Sequence, residues 1–233
     1  MRKIALIAVA AFAAACGGST NNDPPPASGI TGTVNGSSFQ SVDQTALFGT
    51  ANACSLGLAG GLAVGLNLAV VNVSDVTGTC AAATTCAFKS NSATLTVLIA
   101  RADLANTTAP AIATGSYTFL DIARLLNDPT YIPPIPPGTD LKIFAATVTD
   151  LAATTCSPTP IVVTGGSLNV ASSSTAGING TVNVTLAGGG TLSGTIAATT
   201  CVPNFDACAA LNAALTPGAS GLSFCSGTPT CVP

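Results

Sequence analysis

Histidine, glutamate and tryptophan are missing from all 233 residues. Without histidine there is no Ser-His-Asp or Cys-His nucleophile, and without glutamate the only carboxyl side chains are nine aspartates. These are dispersed. Asp121 and Asp128 are the nearest pair inside the domain, and Asp128 before Pro129 reads as a turn residue. Neither catalysis nor a cofactor is expected. Zinc is not expected either, because no Cys-x-x-Cys occurs and no imidazole exists to complete a site. Calcium needs clustered oxygens, whereas Asp75 in NVSDVTG stands alone and reads as a turn residue. Gly188-Gly189-Gly190 has no following lysine and opens a strand rather than a helix, so it is not a phosphate loop.

Charge is also scarce. Charged residues make up 6% of the chain, against about a quarter in ordinary globular domains. The formal charge is −3, and losing Arg2 and Lys3 with a leader would take it to −5. A mildly acidic chain without a basic patch excludes nucleic acid as an expected partner. Aromatic residues are 4% of the sequence, too few to line a typical small-molecule pocket generously. Solubility must rest on Ser, Thr and Asn, which also populate turns and strand surfaces.

The first residues present a clear pattern. Met1-Arg2-Lys3 is basic, Ile4 to Phe12 is apolar, and Ala13-Ala14-Ala15 precedes Cys16. This is the order of parts in a secretory signal peptide, and the apolar run is shorter than the roughly 20 residues a spanning helix needs. Small residues directly before Cys16 resemble a bacterial lipobox, with Ala13 where the family usually has Leu. The resemblance implies cleavage before Cys16, lipid on that residue, and a membrane as partner. Gly17 after the cysteine is similar to the sorting pattern of outer-membrane lipoproteins. Residues 1–15 are thus expected to be a signal peptide. Residues 16–29, rich in Gly, Ser, Asn and Pro, are expected to be a lipidated cysteine and flexible tether, and residues 30–233 one β-rich domain.

Eight further cysteines remain: Cys54, Cys80, Cys86, Cys156, Cys201, Cys208, Cys225 and Cys231. An even number in an exported chain reads as disulfides. Spacing suggests the local pairs Cys80–Cys86, Cys201–Cys208 and Cys225–Cys231, leaving Cys54 with Cys156.

Strands dominate the domain. Ile178 to Leu186 alternates Val182, Val184 and Leu186 with Thr181, Asn183 and Thr185. After the triple glycine, Leu192 and Ile196 alternate with Thr191, Ser193 and Thr195. Period-two patterning around a glycine turn predicts a hairpin with one buried face, and Leu168 and Val170 add a third strand of a meander. Asn35-Gly36 predicts a type I′ hairpin turn between Gly29–Val34 and Ser37–Val42. Further strands are expected over Leu66–Val73, which is apolar on both sides at one end, and over Ala93–Ala100, Gly115–Leu120 and Leu141–Thr149. Helix is expected over Asp121–Asn127, with Leu125 and Leu126 inward, and over Asn204–Leu215 behind an Asn204 N-cap. The proline-rich DPTYIPPIPPG, Asp128 to Gly138, is expected to be a surface loop in which Tyr131 and Ile132 pack. The fold class is all-β: an antiparallel β-sandwich or up-and-down barrel with one short C-terminal helix and disulfide-tied loops. Asn-x-Ser/Thr sequons begin at Asn35, Asn72, Asn106, Asn179 and Asn183, as chance provides in a Thr-rich chain.

Two segments, GITGTVNGSSF from Gly29 to Phe39 and GTVNVTLAGGGTLSGTIAATTC from Gly180 to Cys201, resemble lipoproteins of myxobacterial type. The resemblance implies an exported β-rich domain and no particular activity. The expectation is a lipid-anchored envelope protein, at the outer membrane, with a structural or partner-binding role. A barrel or sandwich binding a small hydrophobic ligand, and a carbohydrate-binding adhesin, are the alternatives.

Overall fold

The computed structural model describes residues 29–55, 63–85, 87–128, 130–134, 138–209 and 230–232. The expected leader and most of the expected tether lie outside them. The strands are β1 (Ile30–Val34), β2 (Ser37–Gln40), β3 (Asp43–Ser55), β4 (Ala63–Ser74), β5 (Ala87–Lys89), β6 (Ser92–Asp103), β7 (Gly115–Phe119), β8 (Asp140–Leu151), β9 (Pro158–Ser174), β10 (Gly177–Leu186), β11 (Thr191–Asp206) and β12 (Thr230–Val232). Helices α1 (Thr79–Thr85) and α2 (Ile122–Asn127) interrupt them.

The sheet closes on itself. β3 pairs with β4, β4 with β6, β6 with β8, β8 with β9, β9 with β10, β10 with β11, and β11 returns to β3. Among the described residues closure leaves no long unpaired edge to recruit other chains. Of the two architectures expected, the molecule is a barrel. It departs from a simple up-and-down meander at the seam, where β11 and β3 run parallel. It departs again where short β7 wedges between β8, parallel, and β9, antiparallel. The predicted β9–β10–β11 meander is present, and its strands run longer than their alternating cores because ladder pairing continues past the pattern.

The barrel interior is filled. Ala69, Val71 and Val73 of β4, Leu95, Val97 and Ile99 of β6, and Phe144 and Val148 of β8 meet Leu168 and Val170 of β9, Val182 and Val184 of β10, and Leu192 and Ile196 of β11. Val71, Leu95, Val97, Ile99, Val184 and Leu192 have 0% exposure. A void large enough for water would leave area on its lining, so these residues face packed atoms.

One end is capped. The β1–β2 hairpin turns at Asn35 and Gly36 with φ of 50° and 81°, and Val34 pairs with Ser37, as a type I′ turn requires. β1 starts paired to β11, yet Asn35 Nδ2 donates to Asp150 Oδ2 of β8, on the opposite side of the ring, at 3.1 Å. The hairpin therefore crosses the mouth and sends Ile30, Val34 and Phe39 into the core. Where β11 leaves β1 and joins β3, Gln44 substitutes for a missing stretch of strand. Its Nε2 donates to the Thr195 carbonyl at 3.1 Å and its Oε1 accepts from Ala197 N at 2.8 Å. A primary amide carries the same donor and acceptor as a peptide group and completes the ladder there.

The two walls differ on the outside. On β9–β11 most outward residues are exposed Ser, Thr and Asn, with Val162 the large apolar exception, and from Leu151 to Phe205 no ionisable acid or base occurs. On β4 and β6 the outward residues are buried too, which accounts for the two-sided apolar run in Leu66–Val73. Leu47, Val70, Leu66 and Leu68 there meet Leu98, Phe205 and Ala207. Nearer the cap the same outer face is polar and buried under α1. Thr96 donates to Asn72 at 2.9 Å, Thr94 to Ser74 at 3.3 Å, and Thr79 to Thr45 at 3.1 Å. Asp43 Oδ2 accepts from Gly78 N, Thr79 N and Thr79 Oγ1, fixing the entry to α1.

The disulfides correct the local pairing that spacing suggested. Cys54 bonds Cys208, Cys80 bonds Cys201 and Cys156 bonds Cys231, across 154, 121 and 75 residues. Cys86 and Cys225 lie outside the described residues. Closure of the barrel brings β11 beside β3 and α1, so sulfurs distant in sequence meet at Cα separations of 5.3–5.5 Å. The C-terminal helix is corrected as well. β11 runs through Asn204 to Asp206, and the cap is Asp206, whose Oδ1 accepts from Cys208 N and Ala209 N. Ala207–Ala209 are helical, and the rest of the expected Asn204–Leu215 helix falls outside the described residues. The short helices α1 and α2 precede it in the chain.

Candidate functional site

The end opposite the cap carries the longer loops and a charged cluster. Arg101 near the end of β6 pairs in register with Lys142 of β8 and reaches diagonally, two residues along the same face, to Asp140 at the start of that strand. The contact is bidentate, Nε to Oδ1 at 2.8 Å and Nη2 to Oδ2 at 3.1 Å, and Nη1 donates to the Ala111 carbonyl at 2.6 Å. Lys142 Nζ donates to the Thr114 carbonyl, and Tyr117 Oη to the Ala113 carbonyl. Asn52 Oδ1 accepts from Ala109 N. Asp103 accepts from Ala105 N and Asn106 Nδ2. Together these groups pin the loop between β6 and β7 by its backbone.

The cluster's electrostatics follow. The Arg101 hydrogen bond holds the Asp140 carboxyl below the usual carboxylate range, against a smaller opposing effect of burial. The hydrogen bond from Asn106, then that from Ala105 N, lowers Asp103. A group depressed in the folded state stabilises above its ordinary range and stops doing so as pH falls through the folded value. Amides of residues 104–114 are therefore expected to lose hydrogen-exchange protection as pH drops below about 4, the ordinary carboxylate range. In Arg101→Met that acid-dependent loss should largely disappear, because the loop is already released at neutral pH. Unchanged protection in the variant would show that the loop does not depend on the pair. Asp75 behaves oppositely: burial raises its carboxyl more than its bond from Ala93 N lowers it, so its contribution is present at low pH and fades as pH rises.

The second feature is the crossover from β7 to β8. Asp121 caps α2 by accepting from Arg124 N at 2.9 Å. Arg124 then reaches Asp128 at 3.2 Å and lies 4.7 Å from the centre of the Tyr131 ring. Asp128 is a turn residue, as expected, accepting from Thr130 N and Oγ1. Of the apolar expectations here, those for Leu125 and Ile132 are corrected, Tyr131 does pack, and the Leu126 side chain lies outside what the structure describes. Leu125 points outward at 39% exposure, and Ile132 is 85% exposed rather than packed. Stacking Tyr131 on Arg124 fixes the loop while leaving Ile132 no core to enter.

Each aspartate among the described residues is thus occupied. Asp43, Asp121 and Asp206 receive backbone N–H groups at helix starts, Asp75, Asp103 and Asp128 organise turns, Asp140 holds Arg101, and Asp150 holds the hairpin tip. Asp121 and Asp128, the nearest pair in sequence, act at opposite ends of one short helix. Among the described residues no three Cys, Asp or Glu side chains gather as a metal site.

Comparison with known proteins gives no relative. The chain matches no family model, no curated protein and no solved structure. Two surface features stand out among the described residues: a fixed loop with exposed Ile132 at one end, and a wall rich in hydroxyl and amide side chains along the side.

Proposed function

We propose that this chain is a cell-envelope lipoprotein, held at the outer membrane by lipid on Cys16, whose β-barrel has a non-catalytic, partner-binding role. The observation that carries the reading is the position of Gly29. It enters beside the capped mouth, where Ile30 pairs with Gly194 and accepts from Ser41 N. Residues 16–29 reach at most roughly 45 Å when extended. A tether entering there leaves the loop end, with Ile132 and the Arg101 cluster, on the side of the barrel away from the point of attachment and free to meet a partner. The packed interior weighs against the alternative of a hydrophobic ligand in the lumen. Carbohydrate binding has the neutral wall in its favour, but Pro158 to Thr200 contains no aromatic ring for a sugar to stack on.

The test is the intact mass of protein extracted from membranes of a bacterium expressing the full chain. The expected species starts at Cys16 and carries acyl chains, and Cys16→Ser leaves the protein without them. Several acyl chains anchor far more firmly than one, so extraction should need detergent. A mature form without acyl groups, released by salt alone, would remove the membrane assignment.

A further inference from the structure

The chain contains two Asn-Gly dipeptides, Asn35-Gly36 and Asn179-Gly180. In such a pair the backbone nitrogen of glycine can attack the asparagine side chain, since no Cβ obstructs it. The structure treats the two pairs very differently. Asn179 and Gly180 lie inside β10, hydrogen-bonded to β9 on one side and β11 on the other. Asn179 Nδ2 donates to Ser172 Oγ at 3.0 Å, and the place of a Cβ on Gly180 is crowded by the Asn169 carbonyl. Asn35 and Gly36 form the turn outside the β1–β2 ladder, whose last pair is Val34 with Ser37. Both are exposed, and nothing lies within 4 Å of the Cβ position on Gly36. The Asn35 side chain has one solvent-exposed bond, to Asp150.

We propose that Asn35-Gly36 is a self-modifying site whose deamidation unlatches the hairpin cap. The Gly36 nitrogen gives its proton to water and bonds to Asn35 Cγ. The Cγ–Nδ2 bond breaks and ammonia leaves, closing a five-membered imide. Water then opens either carbonyl, giving aspartate or isoaspartate. No oxidant or reductant takes part. The product replaces the amide donor facing Asp150 with a carboxylate, so an attraction at 3.1 Å becomes a repulsion between like charges. The isoaspartate product also adds a backbone carbon to a turn that tolerates only two residues. Both changes act where the hairpin crosses the barrel mouth, and both favour lifting Val34 and Phe39 from the core.

The experiment incubates the full mature protein at mildly alkaline pH and maps peptides over time. Asn35 is expected to convert on the order of tenfold faster than Asn179 in the folded protein, or more. That ratio corresponds to about 1.4 kcal/mol of additional opening cost at Asn179. It should collapse toward unity once the protein is reduced and denatured. Equal folded-state rates, or faster conversion at Asn179, would overturn the site. The latch is read separately by hydrogen exchange over Ile30–Gln40. Asn35→Asp should exchange faster than wild type, and adding Asp150→Asn should restore protection. Wild-type protection in Asn35→Asp, or no rescue by the second change, would overturn the unlatching.

Discussion

Replacing Cys54 and Cys208 together by serine should cost about 5 kcal/mol of stability, the chain-entropy value for a loop of this size. The bridge spans 154 residues and ties the end of β3 to the first helical turn after β11. In a domain this large each kcal/mol moves the melting temperature by about 2–4 °C, so a drop on the order of 10–20 °C is expected. Cys80–Cys201 closes a loop nested within the same span and fastens the same strand to α1, so each bridge left in place still shortens the loop the other closes, and removing both should cost more than the sum of the two single removals. The structural reason is the parallel seam. β11 and β3 pair with register shifts after Thr200 and Val202, and the ladder there is less continuous than at β4–β6. The two bridges hold the barrel shut where hydrogen bonding holds it least. Had Cys201 paired with Cys208 and Cys54 with Cys156, the same double replacement would break two bridges and free the thiols of Cys156 and Cys201. Two new free thiols in the variant would therefore refute the long-range connectivity, and peptide mapping without reduction would identify the true partners.

Phe144→Ala is expected to cost about 3–5 kcal/mol, the range for emptying a buried aromatic site. Phe144 is 1% exposed and its ring sits 5.4 Å from that of Phe119, at a tilt of 60°. Its carbonyl accepts from Leu120 N, so backbone and ring together hold β7 in the wedge between β8 and β9. The same variant tests whether the lumen is packed. Wild type should bind no small apolar probe such as benzene, whereas the alanine variant leaves an apolar void that can take one. Chemical denaturation measures the first effect and calorimetric titration the second. A loss under about 1 kcal/mol, or saturable benzene binding by wild type, would mean that the interior holds a cavity. The hydrophobic-ligand reading would then return.

How much of this was legible beforehand varies by element. β10 and the first half of β11 declared themselves, because one face meets the core and the other meets water, and that asymmetry is written as alternation. The Asn35-Gly36 turn did too, since both residues must take positive φ and the dipeptide suits that need. β3 left little trace. Its sequence DQTALFGTANACS has outward residues buried under Phe205 and α1 at one end and a bulge at Ala53, with φ of 50°, at the other, so no single period runs through it. α1, a short run of Thr, Cys and Ala, is weak as an isolated helix and exists because Asp43 and Cys201 hold its first two residues against the barrel. Asn204 is an adequate helix cap in isolation, but pairing of β11 with β3 keeps it in strand and passes the role to Asp206.

By itself the sequence determined the class of the fold, the exclusion of histidine- and glutamate-based chemistry, the use of its cysteines in disulfides, and the strands that bury one face. These depend on residue type and on neighbours within a few positions. Barrel closure through a parallel seam, the hairpin laid across its mouth, the disulfide partners, the exposure of Ile132, and the different fates of two identical Asn-Gly pairs were decided only by tertiary structure. Each depends on which residues meet from distant parts of the chain, and a closed ring of strands settles that by pairing and burial, with no local pattern to announce it.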